Sequence, residues 1–431
     1  MTSRTRSGRL TLTLMLVASV LWASPAEGAP GDLDRTFGDG GRVVTNPTKW
    51  SDGIADMTIQ PNGRIVVVGR TIGRRYGMFG LARYRPDGRL DPTFGGDGLV
   101  RTNMAKREDS ATAVAIQPDG KIVAVGTANV RARWVFAIAR YDRDGTLDTT
   151  FGTNGRARIG FTPSGDDAAA DVAIQPDGKI VVVGSSFVLD RFALARLDSD
   201  GTLDSTFHAD GKVTTNAGDG TDSAGAVAIQ PDGKIVVAGQ SWTLSGWDGI
   251  DVVRYETDGK VDPTFGTDGI AIQPDGKISV AGDAGGGAEF TSGFGLARFD
   301  DDGTPDVTFH GDGTVVTNFT RWDDSASDLA FQPDGKIVAV GVAGYSWDTV
   351  ATFALVRYDP DGTLDNSFGD DGKLRTRVGG AQPGQQIEIV GSWAKAVALQ
   401  TDGRIVVAGD VDGVAADRID GRFAVARYRS R

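Results

Sequence analysis

Residues 113–126 read AVAIQPDGKIVAVG, and residues 136–159 read FAIARYDRDGTLDTTFGTNGRARI. In the first stretch a Pro-Asp-Gly turn separates two runs of small and β-branched apolar residues, the pattern of a tight hairpin. The run Ile122 to Val125 is apolar without a break, as expected of a strand covered on both faces. In the second stretch Phe136 to Tyr141 reads as a third strand, Asp-Arg-Asp-Gly as a turn, and the Leu-Asp-Thr-Thr-Phe-Gly string leads into a fourth. One unit thus holds four short antiparallel strands.

The unit recurs. The Phe of its last string stands at Phe37, Phe94, Phe151, Phe207, Phe265, Phe309 and Phe368. The Gln before the first turn stands at Gln60, Gln117, Gln175, Gln230, Gln273, Gln332 and Gln400. The Arg of the third strand stands at Arg83, Arg140, Arg196, Arg254, Arg298, Arg357 and Arg427. Four strands per unit at this period indicate a β-propeller, since solenoid coils are shorter and need caps. The expected fold is all-β, a seven-bladed β-propeller of four-stranded antiparallel blades over residues 31–431. Blade 1 is expected over 54–101, blade 2 over 112–158, blade 3 over 170–214 and a truncated blade 4 over 225–269. Blade 5 follows over 270–316, blade 6 over 327–375, and blade 7 over 394–428 plus 32–45.

The strings QPDGKIVVVG (175–184), FALARLDSDGTLD (192–204) and TFGGDGLVRT (93–102) resemble the delta-60 repeat, a β-propeller repeat of bacterial proteins. More distantly, the first string is similar to the inner hairpin of NHL-type blades. The resemblance implies the fold and brings no catalytic or ligand residues with it.

The repeats are cut out of phase, with a fourth strand first and a third strand last. A ring closes when strands from both ends share one blade, which removes exposed edges. Each Arg of the third strand also has an Asp eight residues on, as in Arg83 and Asp91, except Arg427, while Asp34 has no upstream Arg. A part-buried charge needs a partner, so an Arg427–Asp34 contact is expected across the closure. Only 8 residues separate Phe265 from Gln273, which predicts a truncated outer strand near 261–269, a notch between blades 4 and 5, and the ring's weakest junction.

Of the 431 residues 61 are Gly, none is Cys and two are His, which excludes disulfides, thiolate sites and most triads. Residues 1–29 read as a signal peptide, with Arg4, Arg6 and Arg9 before an apolar run from Leu10 to Trp22. The expected setting is therefore secreted and extracellular. The net charge of −12 argues against nucleic acid and anionic membrane as partners, and no further apolar stretch suggests membrane insertion. A monomer is expected.

His208 and His310 replace the Gly of the TFG string in two copies and read as turn residues. The DxDG turns lack the full calcium-loop spacing. Asp52, Asp109, Asp167, Asp222 and Asp324 each enter an innermost strand, where they either cap a loop through its backbone or ring the mouth of the central channel. In the second case calcium is the one cofactor they could hold. No residue pattern is assigned a catalytic role.

The turns QPDGK and DxDGT repeat on one face of the ring. The other face carries what varies: the second-to-third loops 70–78, 127–135, 185–191, 240–249, 283–293, 342–352 and 410–422, and the crossings between blades. Apart from Trp22 every Trp falls in these segments, namely Trp50, Trp134, Trp242, Trp247, Trp322, Trp347 and Trp393, so none is expected in a scaffold strand. Variable aromatic loops on a rigid frame suit recognition. A site on this face is expected around Trp242, Trp247, Asp248, Trp322, Asp323, Trp347 and Asp348, for an extracellular glycan, peptide or protein. The function expected is a binding module, with an extracellular glycan hydrolase or lyase using loop carboxylates as the alternative.

Overall fold

A computed structural model describes residues 28–163, 165–217, 220–243, 246–265, 277–286, 291–345, 350–379, 388–415 and 418–431. The leader expected over residues 1–29 lies outside them apart from Gly28 and Ala29.

Seven antiparallel sheets form the blades of a propeller. Blades 1, 2, 3 and 6 have four strands each, spanning 53–102, 109–159, 167–215 and 323–376. Blade 7 takes its inner three strands, Glu388–Leu399, Ile405–Ala415 and Arg418–Tyr428, from the end of the chain and its outer strand, Arg42–Thr45, from the start. The ring is closed by the N-terminal strand. Blades 4 and 5 depart from the four-strand expectation: among the described residues each has three strands, over 221–255 and 278–317. Of the truncated outer strand expected near 261–269, residues 261–265 run through a turn and residues 266–276 lie outside the described residues. A second correction concerns the hairpins. The ladder between second and third strands continues as far as Ala415↔Arg418 in blade 7 and Thr243↔Gly246 in blade 4, so much of each expected loop is strand. Trp134, Trp242, Trp247 and Trp393 accordingly lie in strands. Cross-strand pairing continues wherever two extended arms meet, whatever their sequence variability.

A Gly recurs inside the second strands for one steric reason. The innermost strand of six blades shifts register by one residue, between Ile54 and Asp56, Ala111 and Ala113, Ala169 and Asp171, Ala224 and Ala226, Ala326 and Asp328, and Ala394 and Ala396. At that bulge the inner strand's carbonyl leans onto the neighbour, and a Cβ on Gly69, Gly126, Gly184 or Gly409 would stand 1.9–2.0 Å from it. His208 (φ 47°) and His310 (φ 51°) occupy the left-handed position that Gly95 (φ 62°) fills elsewhere.

Core packing runs between blades rather than within them. Val123, Val125, Phe136 and Ile138 of blade 2, for example, pack on Val172, Ile180 and Val182 of blade 3. A polar lattice repeats around this core. Each third-strand Arg covers the Phe of its own outer string at 4.4–4.8 Å from the ring centroid. The same guanidinium donates to a turn carbonyl of the next blade, as in Arg196 to Thr257 (2.6 Å) and Arg357 to Ser430 (2.6 Å). Tyr84, Tyr141, Tyr255 and Tyr358 donate to an outer-strand Thr of the preceding blade at 2.7–2.9 Å. Arg, Phe and Tyr thus weld neighbouring blades by the same contacts each time.

At the closure Arg427 Nη2 lies 2.9 Å from Asp34 Oδ2 and Arg404 Nε lies 2.7 Å from it. Arg427 also donates to the Pro86 carbonyl of blade 1 (2.5 Å), and Tyr84 reaches Thr45 (2.9 Å). Burial acts against the ionised Asp91, but hydrogen bonds from Thr93 and Arg64 and the charge of Arg83 hold its carboxyl well below the usual range. Asp148, Asp204, Asp306 and Asp365 behave alike.

Candidate functional site

Two sets of carboxylates line the inner strands, and they do different things. Asp52, Asp109, Asp167, Asp222 and Asp324 are 2 % exposed or less. Asp52 accepts from the N–H groups of Thr48 (2.7 Å) and Ile72 (3.0 Å), and Asp324 from those of Phe319 (2.8 Å), Thr320 (2.9 Å) and Gly344 (2.9 Å). Asp109, Asp167 and Asp222 accept from Met104, Phe161 and Ala217 at 2.7–2.9 Å. These Asp residues therefore cap the crossing loops, the first of the two roles expected of them: a loop that must turn between blades carries amide hydrogens that only a buried acceptor can satisfy.

The carboxylates that do face the axis stand four residues later. Asp56, Asp171 and Asp328 each accept the N–H of the following residue and, at 2.7–2.8 Å, an N–H of the next blade: Val114, Val227 and Val397. Burial raises all three, Asp171 to about 6 and Asp328 to about 7, and the charge of Asp171 raises Asp56 and Asp328 further. Among the described residues no three such ligands converge closely enough to hold a metal ion.

A cleft of about 560 Å³ opens on the variable face between blades 6 and 7. One wall is Trp393 and Lys395 of the inner strand of blade 7, with Asp410 and Asp412 of its second strand; the other is Asp323, Ser325 and Val342 of blade 6, with Ser292 of blade 5 at the edge. The fold places each group for a local reason. Trp393 and Asp410 are cross-strand partners, Lys395 is the bulged residue, and Asp412 follows Asp410 by the two residues that return a strand to the same face. The Trp393 indole rests on Gly391, where a Cβ would meet the ring at 2.6 Å. Asp323 Oδ1 accepts the Ser292 N–H (3.1 Å), and Asp410 Oδ1 accepts the Ile54 N–H of blade 1 (2.5 Å). Burial, and secondarily the charge of Asp412, raise Asp410 to about 7 against the opposing pull of the Ile54 N–H and of Lys395. A flat apolar ring beside charged donors and acceptors in one recess can stack on a sugar face and hydrogen-bond its hydroxyls.

Of the residues expected on this face, Asp323 lines the cleft. Trp322 sits in the preceding crossing turn, its N–H donating to Thr320 Oγ1 (3.0 Å) and its ring covered by Arg321 at 4.9 Å. Trp242 and Trp247 pair across the blade 4 hairpin; their side chains and that of Asp248, together with Trp347 and Asp348, lie outside the described residues. Trp393 and Lys395 carry a signal the repeats contain. Seven residues before the turn Gln the other copies have Gly53, Ser110, Ala168, Ser223 and Ser325, and five before it Ala55, Thr112, Ala170, Gly225 and Ser327. Blade 7 alone among these puts a Trp and a Lys where its sisters are small. A further recess of about 420 Å³ gathers Lys106, Arg156 and Arg158 between blades 1 and 2, a basic patch that linear order does not reveal.

Six segments, residues 60–94, 117–151, 175–207, 230–265, 273–309 and 332–368, match the family model described as "Domain of unknown function (DUF5122) beta-propeller". The six matched segments fall one to a blade in blades 1 to 6. Each DUF5122 match runs from the turn Gln to the Phe of the outer string, leaving the crossing loops and the Trp393 wall outside it. No curated protein matches the sequence. Among solved structures the chain is similar to the polysaccharide lyase Uly1, at 10% identity and a TM-score of 0.50 over 88% of this chain and 90% of that one. It is also similar to a virginiamycin B lyase from Staphylococcus aureus, at 11% identity and a TM-score of 0.44 over 89% and 98% of the two chains. The α-L-arabinofuranosidase Arb93A from Fusarium graminearum follows at 8% identity and a TM-score of 0.45, over 90% and 96%. At these identities the likeness reaches the fold alone.

Proposed function

We propose that the protein is a secreted saccharide-binding propeller that takes its ligand in the cleft between blades 6 and 7. The observation that carries this reading is the Trp393 wall, an indole held flat by Gly391 beside Lys395, Asp410 and Asp412 and opposite Asp323. Stacking on the indole supplies affinity, and the carboxylates and ammonium supply hydroxyl recognition. The leader-like residues 1–29 support a ligand outside the cell, and the acidic balance of the chain disfavours polyanions as partners. A glycan array probed with the purified chain tests the proposal. A bound saccharide should lose about 30-fold in affinity on Trp393→Ala, the ~2 kcal/mol of a buried aromatic anchor, with the melting temperature unchanged. Unchanged affinity in the folded variant would move the site elsewhere.

A further inference from the structure

Resting on that reading, we propose that the same cleft hydrolyses a glycosidic bond, with Asp410 as the proton donor to the leaving oxygen and Asp323 as the carboxylate that activates water. The two acids belong to the two blades that form the cleft, Asp410 on the second strand of blade 7 and Asp323 at the start of blade 6, and both line the recess that Trp393 lines. Hydrolysis of an acetal needs this pairing, one carboxyl protonated and one ionised on either side of the anomeric carbon.

The surroundings suit each acid to its part. Asp410 commits Oδ1 to the Ile54 N–H at 2.5 Å, which leaves Oδ2 to carry the proton. Burial and neighbouring Asp412 keep that proton on to about pH 7, and Lys395 is the cation that counters them. Asp171 and Asp328 hold protons for the same reason, but both of their oxygens accept N–H groups in the axial channel, away from any cleft wall. Asp323 accepts the Ser292 N–H through Oδ1, which fixes its carboxylate toward the recess edge. In the step itself the Asp410 proton passes to the glycosidic oxygen as the bond from that oxygen to the anomeric carbon breaks. A water oxygen bonds to the anomeric carbon and gives one proton to Asp323. Proton exchange with solvent then restores both carboxyls, and the sum is one glycoside and one water giving two hydroxyl compounds.

The full chain should be incubated with xylan, arabinan, β-glucan, chitosan and polygalacturonate, and new reducing ends measured. Wild type is expected to release reducing ends from at least one, with a rate that declines above about pH 7 as Asp410 ionises. Asp410→Asn, which keeps the acceptor for Ile54, should cut kcat by about a thousandfold or more in a variant that still folds. Asp323→Asn should do the same from the other wall. Binding of a polysaccharide without release of reducing ends overturns the hydrolase and leaves the binding reading standing. Wild-type turnover by either folded variant overturns the assignment of that acid. Neither binding nor release from any of the polymers overturns both.

Discussion

The seam between blades 7 and 1 joins the blade built from both ends of the chain to its neighbour, whereas the junction between blades 4 and 5 joins the two blades with three described strands each. Among the described residues the seam is the better packed of the two. It buries Phe37, Ile54, Met57, Tyr84, Phe423 and Val425 in one cluster with six further side chains. The blade 4–5 cluster has six buried members in all: Val236, Ala238, Val252, Ile278, Val280 and Phe299. Across the seam run the Arg427 bond to Pro86, the Tyr84–Thr45 bond and the Asp410–Ile54 bond, beside the Arg427–Asp34 pair inside blade 7. Chain also runs across the seam, through residues 46–52, so covalent continuity does not set adjacent blades apart. What holds them is apolar area and the repeated Arg, Phe and Tyr contacts, and a seam with the full set is as sound as any other junction.

The largest expected effect comes from breaking the seam. Arg427→Met should cost about 3–5 kcal/mol in urea unfolding, because Asp34 is left buried with only Arg404 beside it. A loss under 1 kcal/mol would mean that the apolar cluster closes the ring unaided. Hydrogen exchange sharpens the contrast next. Amides of Ile278–Gly286 and Thr291–Phe299 in blade 5 should exchange at least tenfold faster than those of Ile405–Ala415 and Arg418–Tyr428 in blade 7. Equal protection would show one cooperative ring.

Acidity acts on both regions through opposite groups. Asp171, Asp328 and Asp410 have raised values, so the folded state holds protons that the unfolded chain has released between about pH 4 and pH 7. Their contribution is present below about pH 4 and is lost as pH rises to about 7. Asp91 and its equivalents are depressed, so theirs is present above about pH 4 and lost below it. Stability should therefore peak near pH 4–5, and Asp171→Asn and Asp328→Asn should each flatten the neutral limb. A profile rising steadily from pH 5 to 8 would contradict this. The smallest effect is Tyr84→Phe, which removes the hydroxyl bond to Thr45 at the seam and should cost about 1 kcal/mol in thermal unfolding.

The recurring strings contain the blade number, the closure and the Arg427–Asp34 pairing before any coordinates, because each copy must satisfy the same neighbour contacts. They also mark the shortened segment after Phe265, since eight residues cannot form both an outer strand and a crossing. The variable face is equally legible: what differs between copies is free of the lattice. Which residues on that face form a recess is another matter. Trp322 and Trp393 look alike as exposed aromatics in variable segments, yet one is turned into a crossing loop under Arg321 and the other walls a cleft. Likewise Asp52 and Asp56 are four residues apart, one locked by loop amides and the other facing the axis. Spacing along a strand tells which face a side chain takes, but the bulge resets that count. Only the ring's curvature brings Asp323 of one blade opposite Asp410 of the next, a meeting of residues far apart in the chain that local pattern cannot encode.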